Sequence, residues 1–193
     1  MKEIDKSFDE IKGLIDQARS NALQSINIHL IQLYWNIGSF ISDKLAVAQW
    51  GEKTIEQLAD YLHRFGPDYS GFNRRNLYRM RQFYEAYAGN EIVSPLVTQL
   101  GWSHHLLILS KTKTVEEREY YIRLSIQERY TKRELERQLN SALYERVMLS
   151  GQQHIERKLA HVAIRPVIKD SYVFEFLGLP EEHSENDVQK GLL

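Results

Sequence analysis

Four arginines, Arg74, Arg75, Arg79 and Arg81, fall within YSGFNRRNLYRMRQFY, residues 69–84, and no carboxylate stands among them. A guanidinium is always charged and offers a planar fork of donors, which suits phosphate oxygens and guanine edges. On a helical wheel Leu77, Met80, Tyr84 and Tyr87 share one side. Arg74, Tyr78 and Arg81, then Arg75, Arg79 and Gln82, turn to the other. The chemistry this supports is recognition of a polyanion. Asn73 or Asn76 could pair an adenine edge, and Tyr78 could pack on a sugar. The competing reading is a solvated face that only keeps the helix soluble. Surface helices usually interleave acids with bases at i,i+4, yet no acid lies between Asp68 and Glu85.

A fainter echo occurs at Tyr130-Thr131-Lys132-Arg133-Glu134-Leu135-Glu136-Arg137, which repeats the order of Phe72 to Arg79: aromatic, N-cap, two bases, Leu, Arg. Glu134 and Glu136 dilute its charge, so this is read mainly as the grammar of a helix start. Lys132, Arg133 and Arg137 are secondary candidates for phosphate contact.

Catalytic chemistry finds no support in the residues. Pro67-Asp68 and Glu156-Arg157-Lys158 nominally spell a PD and an ExK. Such a site needs its Asp and Glu on adjoining strand segments, whereas here one pair sits in an interhelical turn and the other in a polar linker. His104 and His105 are neighbours, which is wrong for the i,i+4 spacing that lets two imidazoles share a metal. There is no Gly-rich phosphate loop and no nucleophile elbow. No catalytic residue, metal ligand or cofactor is assigned to this chain.

The elements that must position the basic face are helical. From Ile4 through Phe8, Ile11, Ile15, Ala18, Ala22, Ile26, Leu30, Leu33, Ile37, Ile41 and Leu45 the apolar residues recur every three or four positions. This predicts one long helix or two collinear ones, with a break near Ser20-Asn21 or at Gly38. A second helix is expected over 54–65, burying Phe65, and a third from the N-cap Asn73 to about Tyr87. Helices near 103–110, 114–129 and 131–149 follow from Trp102-Ser103 as staple and cap and from capping boxes at Thr114 and Thr131. The fold class is therefore mainly α: a helical bundle with a long N-terminal helix and a helix-turn-helix or winged-helix-like region. The stripe is expected to pack on the helices near 54–65 and 114–149.

A chain of 193 residues with a formal charge of −1 and no cysteine is a soluble globular protein without disulfides or thiolate metal sites. A cytoplasmic location is expected. The N-terminus has no signal-peptide h-region, and the uncharged stretch Ser20–Ser42 is interrupted by amides and His29, so no membrane span is expected. Because overall charge is balanced, an anionic partner must be met by a local patch. Residues 1–149 read as a helical domain, 150–166 as a linker and 167–193, beginning VIKDSYVFEFLGLP, as the start of a further unit.

Taken in order, LYWNIGSFI, WGEKTIEQLADYL, GFNRRNLYRMRQFY, LGWSHHLLIL, TKRELERQLNSALYER and VIKDSYVFEFLGLP resemble the N-terminal part of the bacterial YhcG family. The resemblance implies a DNA-binding helical domain followed by a metal-dependent nuclease domain of the PD-(D/E)xK superfamily. It further implies that Mg²⁺ belongs to full-length relatives, that the catalytic core lies beyond Leu193, and that this chain alone is not catalytic. Where relatives typically have Leu-Glu in the opening nuclease helix, this chain has Val188-Gln189. The expected partner is DNA. The alternative is a protein-interaction or dimerisation module whose long N-terminal helix supplies the interface, and an exposed remnant of the apolar stripe after folding favours it.

Overall fold

The spacing of apolar residues from Ile4 onward becomes one unbroken helix, α1, Lys2–Ala46. Six more helices follow: α2 Glu52–His63, α3 Arg74–Tyr87, α4 Trp102–Lys111, α5 Val115–Glu128, α6 Lys132–Asn140 and α7 Leu143–Leu149. Short 3-10 helices occupy Pro67–Phe72 and Ser94–Gln99. The computed structural model describes residues 2–90, 94–149 and 172. Among the described residues there is no strand, so the mainly α class holds and no wing occurs there. The expected linker at 150–166 and further unit at 167–193 lie outside them, apart from Tyr172, whose ring stands 6.5 Å from that of Trp102.

Of the two alternatives the single long helix holds, without a break at Ser20-Asn21 or at Gly38. Gly38 is instead the point where α1 and α3 cross: a Cβ there would collide with the Met80 carbonyl oxygen and lie 2.9 Å from Tyr84 Cβ. Its missing side chain is used for close approach, not for bending. The deepest face of α1 runs through Asn27, Leu30, Ile31, Tyr34, Gly38 and Ile41. α1 packs chiefly on α3 and on the 3-10 helix Ser94–Gln99 rather than on the helices expected to cover it. The α1–α3 seam is aromatic, with Trp35 edge-on to Phe83 at 5.7 Å and to Tyr84 at 5.1 Å.

Other boundaries shift for local reasons. α2 ends at His63, short of Phe65, which is exposed rather than buried, and Gly66 takes a φ of 121° to turn the chain into Pro67. α4 is capped by Gly101, not Ser103, and Trp102 becomes its fully buried first residue. The helix expected over 131–149 is divided at Ala142, whose φ is 49°. Beyond that break the Tyr144 N–H donates to the Tyr121 hydroxyl on α5 at 3.2 Å.

Among the described side chains of α1, full burial begins at Asn27. Nearer the N-terminus Phe8, Ile11, Leu14 and Ile15 are exposed at 63%, 54%, 71% and 46%, so these four have no cover among the described residues.

Candidate nucleic-acid interface

α3 is started by Asn73, whose Oδ1 accepts from the Asn76 N–H at 3.1 Å while its Nδ2 donates to the Ser70 carbonyl at 3.3 Å. Asn76 is buried, and its Nδ2 donates to the Gly71 carbonyl at 2.8 Å. Both amides are thus engaged in joining the 3-10 helix to α3. Leu77, Met80, Phe83 and Tyr87 go into the core, which fixes the rotation of the helix and turns its other side outward.

On that outer side Arg75, Tyr78, Arg79, Arg81, Gln82 and Glu85 line one shallow groove of about 390 Å³. The four arginines are not equivalent. Arg74 Nη2 pairs with Glu56 Oε1 of α2 at 2.7 Å, and its guanidinium lies 5.7 Å from the centre of the Tyr78 ring. Arg81 Nε pairs with Glu85 Oε1 at 2.7 Å, and the Ser42 hydroxyl donates to the same oxygen at 3.1 Å. The Arg81 side chain is only 26% exposed, so it forms a wall of the groove rather than a free arm. Arg75 is exposed and Arg79 half-buried, and neither has a carboxylate within ion-pair distance among the described residues.

Lys132, Arg133 and Arg137 are exposed on α6. The lining of the groove comes from α3 alone, so these three form a separate group. Between them Glu134 is drawn back into the cap: its carboxylate accepts from the Thr131 N–H at 2.8 Å and from the Thr131 hydroxyl at 2.8 Å, and these bonds hold its pKa below the usual carboxylate range.

The two histidines, whose spacing is wrong for a shared metal, have distinct structural tasks. His104 Nε2 lies 2.9 Å from the Tyr130 carbonyl oxygen. His105 is fully buried against Phe83 and Tyr87, with Nε2 2.7 Å from the Val97 carbonyl oxygen. Burial lowers its pKa to about 4, so it is neutral at pH 7 and Nε2–H donates. Asn27 Nδ2 reaches the carbonyls of Thr98 and Leu100, each at 3.0 Å. Together they tie the segment 97–100 to α1 and α4, a role visible in sequence only as polar residues at core-facing positions. Among the described residues no group of three or more acids and histidines could hold a metal ion. No helix among them is long and apolar enough to cross a membrane.

Residues 10–146 match the DUF1016 N-terminal domain. Among curated proteins the chain is similar to "Putative nuclease YhcG" of Escherichia coli (strain K12), at 29% identity over 96% of this chain. The chain spans 59% of the length of that relative. No solved structure matches it significantly.

Proposed function

The chain belongs to the DUF1016 N-terminal domain family, and on that footing we propose that it is the nucleic-acid-binding module of a nuclease-related protein, with α3 as the helix that faces the duplex. The observation that carries this reading is the pair Arg75 and Arg79, two guanidinium groups without carboxylate partners among the described residues, set beside Tyr78 and Gln82 in one groove. α2, the 3-10 helix Pro67–Phe72 and α3 serve as a helix-turn-helix variant with a lengthened turn, in which the outer face of α3 meets phosphates. Asn73 and Asn76 act by holding that helix and not by reading bases. In this reading the module binds and does not cut, and Mg²⁺ belongs to the chemistry of a longer relative.

A second reading, an interaction module, is favoured by the uncovered residues Phe8, Ile11, Leu14 and Ile15. The two are compatible.

Titration of labelled duplex DNA at several salt concentrations tests the first. Four arginines set the ceiling, so log affinity should fall against log salt with a slope no steeper than about −4, each neutralised phosphate contributing roughly −0.9. Replacing Arg75 and Arg79 together by Ala should flatten the slope by about 2 while leaving the circular dichroism spectrum unchanged. Unaltered affinity and slope in the double variant would make the groove a solvated face.

A further inference from the structure

The exposed start of α1 carries Phe8, Ile11, Ile15 and Ala18 at alternating spacings of three and four, with Leu14 beside them, which is the seam of a coiled coil. We propose that this seam is covered by the same seam of a second copy, running antiparallel, with Leu14 at the two-fold axis. The argument is one of size and length, and it is independent of nucleic-acid binding.

Laid antiparallel with position 13 facing position 13, Phe8 of each copy meets Ala18 of the other, and Ile11 meets Ile15. The bulkiest side chain faces the smallest, so layer volumes stay even along the seam. Leu14, the most exposed of the set at 71%, meets Leu14 of the second copy. Parallel pairing would instead stack Phe8 on Phe8 and Ala18 on Ala18, crowding one layer and leaving a void in another. Sliding the antiparallel pair a heptad toward the bundle would set Phe8 against Ser25. A foreign helix would need the reversed order of sizes, which a second copy supplies by symmetry.

The overlap in this register runs from position 4 to position 22 and stops before Asn27, where α1 enters its own bundle, so the two bundles do not obstruct it. Gly13 lies on the side away from the seam. Lys12 approaches its own counterpart near the axis, but Asp16 already holds each ammonium at 2.8 Å.

Sedimentation equilibrium on the full chain should show a dimer at micromolar concentration. Leu14→Arg should be monomeric, with the thermal midpoint that the wild type shows when diluted below its dimerisation range, since Leu14 lies outside the core. The chain has no cysteine, so single-cysteine variants report the register. Under mild oxidation Leu14→Cys should cross-link between copies, whereas Phe8→Cys should not, because the two thiols lie about 15 Å apart along the axis. A wild-type chain that stays monomeric at roughly 100 µM, a Leu14→Arg variant that still dimerises, or faster cross-linking through Phe8→Cys would each overturn the proposal.

Discussion

His105 places a titratable ring where the helix bundle cannot solvate its charge. It is fully buried, its Nε2–H is bonded to the Val97 carbonyl, and its Nδ1 has no partner, so a proton added there would sit uncompensated between Phe83 and Tyr87. Its pKa falls from the ordinary 6.5 to about 4, chiefly through burial. In the unfolded chain the ring binds a proton near pH 6.5, and in the folded chain only near 4. Stability from this residue is therefore fully present above pH 6.5 and lost as pH falls from there toward 4. The total is of the order of 3 kcal/mol, at most about 1.4 kcal/mol per pH unit. Chemical denaturation of the wild type and of His105→Gln between pH 7 and 4 should show the wild type losing stability more steeply. Parallel pH dependences would mean that His105 does not stay neutral in the folded state.

At the scale of elements, the crossing of α1 over α3 holds the basic helix in place. Gly38→Ala would push a methyl group into the α3 backbone at Met80, forcing the helices apart, at a cost of about 1–3 kcal/mol in urea denaturation. Gly13→Ala serves as the control: nothing lies within 4 Å of a Cβ there, so it should leave the bundle intact and raise helicity. An unchanged midpoint in Gly38→Ala would show that the crossing has slack. The same residue shows where sequence reasoning stops. Spacing and caps revealed the helices, because Asn73, Thr114 and Thr131 act on neighbours within four positions. A glycine inside a helical pattern reads as a weak point, and only the partner helix shows it to be a contact. The division of α6 from α7 was hidden likewise, since the bond from Tyr144 to Tyr121 spans separate elements. On the basic helix, Glu85 could be paired with Arg81 from their four-residue separation, but Glu56 comes to Arg74 through the packing of α2 on α3.

For the molecule as a whole, 25 Lys and Arg stand against 26 Asp and Glu, so no net attraction draws a polyanion to it and the distribution of charge decides. α3 concentrates four arginines against Glu85 alone, whereas α6 sets Lys132, Arg133 and Arg137 against Glu134 and Glu136. Fixing Glu134 in its capping box keeps a full negative charge beside Lys132 and Arg133, within the Debye length at physiological salt. A phosphate approaching α6 meets both signs, while one approaching the outer face of α3 meets mainly cations. Lys132→Ala with Arg133→Ala removes the same formal charge as Arg75→Ala with Arg79→Ala, so total charge is matched between the two double variants. The α6 pair should nevertheless lower duplex affinity less and flatten the salt slope by well under the roughly 2 expected for α3. Equal losses would show that the binding surface extends over α6, and a larger loss from α6 would move the nucleic acid off α3 altogether.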